Sequence, residues 1–447
     1  MIQLILASTL FQAVSVAAAI DEGLLGDADE RVLLVANNSY APELTDALHD
    51  VPGAEAVLNR YDRVVQLNET LAPQHPNDWS PRDADLSLLQ RLLRTEWRLG
   101  NQPVELVLES IQVNPAIALA RVFHDSLITI HSDGLMSFGP TRNPVPLSVE
   151  QRLEKLIYLE LVPGLDPVLL RECRVDMVPL GPDPFRKAIG QITDALATEL
   201  DRIGLPAPDG ATALVVGQYL SSLGILTQDE ESTLHVRMIE SAVAAGSSRV
   251  VFKPHPGAPA ASLEPLRAAA SRLSVELSVV TLPMPAEVLM ERLKPGRVVG
   301  CFSTALATAR SIYGIEPIAV GTELLLERLA PYENSNRIPV TIVDALIARD
   351  KPVAGLQPLI EAVSYCMQPD NLHELQPRAE EYVSGAIGTA DMRYFKRRRL
   401  QSLGLVTISR RRTLRAQLGA VRRRLIGRVP TTLARGKDIP RTRRTPQ

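Results

Sequence analysis

The chain has 447 residues, 45% hydrophobic and 22% charged, which at about 150 residues per domain points to two or three folded domains and excludes a disordered chain. Its three cysteines, Cys173, Cys301 and Cys366, form no CxxC pair, which argues against a disulfide framework or structural zinc and fits a reducing compartment. The net charge of −3 hides two unlike parts: residues 393–447 hold 18 Lys and Arg against one acid (+17), and residues 1–392 hold 30 basic and 50 acidic residues (−20).

The opening stretch is apolar, but it has no Lys or Arg before the apolar run and meets Asp21 and Glu22 directly. It therefore predicts a buried strand at Ile2–Leu6 and a helix from about Leu10 to Ile20, not a signal peptide or a spanning helix. Aliphatic and β-branched runs then predict strands at Val32–Ala36, Val64–Leu67, Glu105–Leu108, Ser126–His131, Ala213–Val216, Arg249–Lys253, Glu276–Thr281, Arg297–Cys301 and Pro317–Val320. Between them Leu86–Leu99, Glu150–Leu161, Glu230–Ala245 and Ser262–Leu273 read as helices. Such alternation implies α/β domains built on parallel sheets. The Pro- and Gly-rich stretch Ile203–Gly210 reads as an interdomain break. The expected units are a first domain over 1–185, a linker over 186–210, a second domain over 211–365, closing helices over 366–400 and a basic tail over 401–447.

Parallel sheets bind ligands beyond the carboxyl ends of their strands, so the loops that follow strands are the informative ones. One strand delivers Ser132, Asp133 and Gly134, where glycine permits a sharp turn and the carboxylate can serve as a general base. An Asp-Gly turn without chemistry is the plainer reading of that dipeptide. Another strand ends at Lys253, followed by His255 fixed between Pro254 and Pro256. A histidine so restrained can neutralise or protonate a leaving phosphate, with Lys253 adding positive potential. A third strand leads into Ser303 and Thr304 at a helix start, where hydroxyls and free N–H groups receive anions. Gly217 and Gln218 follow a further strand and can contact a base or sugar. No GxxxxGK[ST], GxGxxG after a strand, HExxH or GxSxG occurs, and the pairs Asp27/Asp29 and Asp83/Asp85 sit at helix or turn starts, so no metal site is expected.

Taken together, Ser132-Asp-Gly134, His255-Pro256 and Ser303-Thr304 resemble the three ordered motifs of bacterial sialyltransferases with the GT-B fold. The longer strings Ser132–Pro140, Gly217–Leu220, Phe252–Pro256, Gly300–Leu306 and Pro331–Pro339, the last containing Asn334, resemble the bacterial alpha-2,8-polysialyltransferase family. The resemblance implies two Rossmann-like domains facing a cleft. It also implies inverting, metal-independent transfer of sialic acid or a related nonulosonic acid from its CMP-activated form to a glycan acceptor. In that family's pattern Asp133 is the general base, and His255, Ser303 and Thr304 stabilise the CMP phosphate; no cofactor is implied. Ser132 stands where the pattern has an acid, which departs from a paired-carboxylate motif. Arg142 is a candidate contact for an acceptor carboxylate, with a solvated arginine the equal alternative.

The tail reads as a basic amphipathic helix over Thr407–Arg428, with Leu414, Leu418, Val421 and Leu425 on one side and arginines over the rest. That pattern suits an anionic membrane surface more than nucleic acid, so the expected location is cytoplasmic and peripheral on the inner face of the cell membrane, where a lipid-linked glycan acceptor is within reach. The competing functions are a GT-B transferase or epimerase using another nucleotide sugar, and a non-catalytic membrane-attached glycan-binding protein.

Overall fold

A computed structural model describes residues 1–39, 46–255 and 263–406. The first sheet begins with β1 (Ile2–Ala7), whose six residues are all buried, and the chain leaves it into α1 (Leu10–Asp21) with Thr9 as N-cap. β2 (Glu30–Val35), β3 (Arg63–Gln66), β4 (Val104–Leu108), β5 (Ile128–Ser132), β6 (Leu153–Leu159) and β7 (Asp176–Leu180) complete it in the spatial order β3-β2-β1-β4-β5-β6-β7. Every pairing is parallel, so all seven carboxyl ends open on one rim. The second sheet has the order β10-β9-β8-β11-β12, from β8 (Thr212–Val216), β9 (Arg249–Lys253), β10 (Glu276–Val279), β11 (Arg297–Gly300) and β12 (Glu316–Ala319), again all parallel. Two such sheets opening on one cleft are the GT-B arrangement of two Rossmann-like domains.

The stretch Glu150–Leu161, expected as a helix, is instead β6, preceded by a short turn at Leu147–Glu150. Leu156, Ile157, Tyr158 and Leu159 are all buried in succession. An inner strand of a parallel sheet is covered on both faces, so its apolar run has no two-residue alternation to distinguish it from a buried helix. β7 went unread because Pro179 interrupts it, which an edge strand tolerates. The segment expected as a linker is helical over Pro182–Ala195 and Ala197–Ile203, and only residues 204–211 lack regular structure.

After β12 the helices Leu356–Met367 and Gln376–Ala386 pack on each other and reach back to the first domain. Glu361, 5% exposed, accepts from Arg378 and from Arg171 of the first domain. Gln357 Oε1 accepts from the Asp166 amide at 2.8 Å, and Asn371 donates to the Thr141 carbonyl at 2.9 Å. Both sheets share one contiguous apolar cluster, and a second cluster covers the other face of the first sheet.

Candidate active site

The cleft holds a cavity of about 490 Å³ into which the rims of both sheets project, a size ordinary for a small-ligand site. From the first domain come Phe11, Asp133 and Gly134; from the second come Gly217, Gln218, Lys253, His255, Ser303 and Thr304. Residues far apart in sequence thus meet at one place because all the parallel strands end on the same side.

Asp133 follows β5, and Ser137 Oγ bonds back to the Gly134 carbonyl at 2.8 Å to close the turn. Gly134 lies against the opposite domain, since a Cβ there would stand 3.3 Å from Thr304 Oγ1. Burial lifts the Asp133 carboxyl to about 6, with its own amide opposing. A carboxylate with that proton affinity is ionised at neutral pH yet basic enough to take a hydroxyl proton. Ser132 is not among the cavity-lining residues; it borders a small enclosed space with His131 and Ser15.

Across the cleft Lys253 is buried at the end of β9 and donates to the Leu282 carbonyl at 3.3 Å. Dehydration lowers its ammonium to about 8, against the pull of Glu287. Glu287 is itself buried, accepts from Thr308 Oγ1 at 2.7 Å, and has its carboxyl raised by burial. His255 stands at the solvent side of the cavity near the Tyr219 ring, 6.3 Å between centroids. Partial dehydration, then the Lys253 charge, hold its imidazole below the usual range. The negative charge of an arriving phosphate would oppose both effects and favour the protonated ring. Pro256 lies outside the described residues. Ser303 caps the helix Thr304–Ser311, its Oγ accepting from the Ala305 amide at 3.2 Å, so that the helix start faces the cavity. Its dipole and the Lys253 ammonium put positive potential on one wall, opposite the Asp133 carboxylate.

Gly217 is required by space: a Cβ would come within 2.9 Å of the Phe252 ring and 3.3 Å of the Pro254 backbone. Gln218 ties two loops together, its Oε1 accepting from the Phe302 amide at 2.9 Å. Its own amide faces His235 Nε2 at 3.4 Å. Arg142 is exposed and is not brought to the cavity. Nor is Asn334, whose Oδ1 accepts from the Asn336 amide at 3.0 Å while Asn336 is the residue that lines the wall.

Four participants escaped the sequence reading. Glu231 and His235 lie on the inner face of the helix Gln228–Ala244. Glu231 accepts from the Ser221 amide at 3.1 Å and from Ser221 Oγ at 2.7 Å, fixing the loop that follows β8. Their signal was a carboxylate and an imidazole four apart on a face otherwise made of Leu234 and Met238. Glu287 gave no such signal. Glu109 follows β4, and its Oε1 accepts from Ser8 Oγ at 2.8 Å, with Asn38 Nδ2 donating to the same Ser8 Oγ at 2.8 Å.

Asp27, Asp29, Asp83 and Asp85 lie away from the cleft cavity; Asp83 pairs with Arg121 and Asp85 with Arg82, both at 2.7 Å. Among the described residues no group of three or more His, Cys, Asp or Glu could hold a metal ion, and no helix is long and apolar enough to cross a membrane.

A general-base candidate on one Rossmann-like domain, facing an anion-receiving wall on the other, defines a glycosyltransferase of the GT-B class. The family model described as Alpha-2,8-polysialyltransferase (POLYST) matches residues 3–322, a span that holds every one of these loops, and the chain belongs to that family. No curated protein sequence matches it. Among solved structures it is similar to the GT-B domain of a sialyltransferase from Photobacterium damselae, at 12% identity and TM-score 0.40, over 77% of this chain and 96% of that one. It is also similar to the E. coli heptosyltransferase WaaC with ADP-2-deoxy-2-fluoro heptose, at 15% identity and TM-score 0.35, over 71% and 88%. A UDP-GlcNAc 2-epimerase from Methanocaldococcus jannaschii is similar at 13% identity and TM-score 0.43, over 71% and 83%.

Proposed function

We propose that this glycosyltransferase moves sialic acid or a related nonulosonic acid from its CMP-activated form to a glycan acceptor, with inversion and without a metal. The observation that carries the reading is the single cavity shared by Asp133 on one side and Lys253, His255, Ser303 and Thr304 on the other. The acceptor oxygen attacks the anomeric carbon of the donor sugar, its proton passes to Asp133, and the bond from that carbon to the phosphate oxygen breaks. CMP leaves as a phosphate monoester. Its developing charge falls on one phosphoryl group, which the Lys253 ammonium, a protonated His255 and the Ser303-capped helix start are suited to receive. The transition state is oxocarbenium-like, by analogy with glycoside hydrolysis.

The acceptor enters, in this reading, beside Ser8. A second cavity of about 480 Å³ there shares Phe11, Met284 and Pro285 with the first. Residues 407–428, outside the described part, dock the enzyme on an anionic inner membrane surface, where a lipid-linked acceptor is presented. The test of the donor is incubation with a panel of CMP-activated sugars while CMP release is followed, together with thermal stabilisation by CMP and by UDP. Release from CMP-nonulosonates and stabilisation by CMP alone support the reading. Stabilisation by UDP alone, with no CMP released from any donor, overturns it.

A further inference from the structure

The family pattern has an acid before the base, and this chain has Ser132 there, bordering an enclosed space away from the cleft cavity. A second carboxyl is nevertheless built beside the base, from the neighbouring strand. β4 and β5 run parallel with Leu108 opposite Ile130, so Glu109 leaves β4 at the level of His131, two residues before Asp133. Its Oε1 is held by Ser8 Oγ at 2.8 Å and approached by Asn38 Nδ2 at 3.5 Å, and Ser8 lines the cavity next to the donor site. Its Oε2 is fully buried and has no hydrogen-bond partner among the described residues. A buried carboxylate left half-bonded is costly, whereas a protonated carboxyl is tolerated far better.

We propose that Glu109 is the second carboxyl of this site, a positioning residue that holds the Ser8 rim and tunes Asp133 as a base. The proposal rests on the reading of Asp133 as the base. The groups facing Glu109 are Ser8 and Gln12 from the β1–α1 turn, Asn38 from beyond β2, and His131 and Asp133 from β5 and its loop. His131 is neutral, its imidazole held near 4 by burial while Nε2 sits 2.8 Å from the Leu6 carbonyl. Burial raises the Glu109 carboxyl to about 7, with the Ser8 hydroxyl, the Gln12 side chain and the Ser8 amide opposing and the Asp133 charge adding to the rise. The pair therefore titrates in two steps, Asp133 first. When Glu109 finally ionises, its charge makes Asp133 a stronger base.

The experiment pairs Glu109→Gln with Asp133→Asn in the full-length protein. Glutamine keeps the carbonyl that accepts from Ser8 and cannot ionise. In transfer assays Glu109→Gln should lower the rate between pH 7 and 8 by roughly threefold, the Brønsted effect of a weaker base, and move the optimum to lower pH. A side chain that only supports the fold would leave that profile unmoved. The second readout needs no activity. A carboxyl whose folded pKa is raised contributes stability at low pH and loses it as pH rises through about 7. Glu109→Gln should therefore raise Tm relative to wild type by a margin that grows from pH 5 to pH 8, about 2 °C or more at the top. That margin should shrink in the Asp133→Asn background. Equal margins in both backgrounds at pH 8, or a transfer profile that superposes on wild type, would overturn the proposal. Absence of CMP release by wild type would overturn the donor reading instead, and the Tm cycle would still decide whether the two carboxyls are coupled.

Discussion

Asp133 and His255 meet the same cavity from opposite domains with their proton affinities displaced in opposite directions from their ordinary values. Asp133 is raised by burial to about 6 and so remains a usable base at neutral pH. His255 is lowered until a phosphate arrives, which couples its protonation to donor binding. Asp133→Asn and His255→Ala should each lower transfer by about 10²-fold or more, in the range for acid–base groups. The kcat/KM profile should rise as Asp133 loses its proton near pH 6 and fall as Lys253 loses its proton near pH 8. Asp133→Asn should remove the ionisation near 6. A full rate in Asp133→Asn with the true acceptor would contradict the role of base.

Elements matter here by what they carry to the rim. The helix Gln228–Ala244 starts with a reciprocal cap, Thr227 Oγ1 accepting from the Glu230 amide at 3.2 Å and Glu230 Oε2 from the Thr227 amide at 2.9 Å. That start fixes Glu231 under the loop after β8, where it holds Ser221. Glu231→Ala should raise the donor KM several-fold with a smaller change in kcat, because the loop is loosened while Asp133 is untouched. An unchanged donor KM would show that the loop holds without it. The helix Thr304–Ser311 was legible from its hydroxyl pair, and β1, β5, β9 and β11 from their apolar runs. β6 was not, because an inner parallel strand and a buried helix share the same uninterrupted apolar run, and only its neighbours β5 and β7 decide between them.

At the scale of the whole molecule the two domains are held by contacts that return from the closing helices. Burial alone would raise the Glu361 carboxyl, but its bonds to Arg378 and Arg171 outweigh this and hold it below the usual range. The stability it contributes is therefore present above the ordinary glutamate pKa and lost as pH falls through the depressed one. Glu361→Ala should cost about 1–2 kcal/mol, less than a fully buried pair because both guanidiniums reach solvent. It should also weaken the donor-induced rise in Tm, because the cavity is formed by both domains. Normal stability would show the bridge to be incidental. The tail belongs to this scale as well: liposome flotation of full-length protein against one lacking residues 407–447 should show loss of binding to anionic vesicles, and equal flotation would remove the docking proposal.

Consecutive residues alone carry the two-domain α/β plan, the three loops that bear Asp133, His255 and Ser303-Thr304, and the split between a −20 body and a +17 tail behind a net charge of −3. Apolar runs, turn residues and charge blocks are local features, and they are written in consecutive positions. The folded chain alone shows that Gly134 stands against Thr304, that Asn336 and not Asn334 meets the cavity, that Glu231, His235 and Glu287 gather around it, and that Glu109 holds Ser8 beside it. Those relations join residues on different strands and helices, and the pairing of the parallel strands, which no short spacing records, is what brings them within reach of one another.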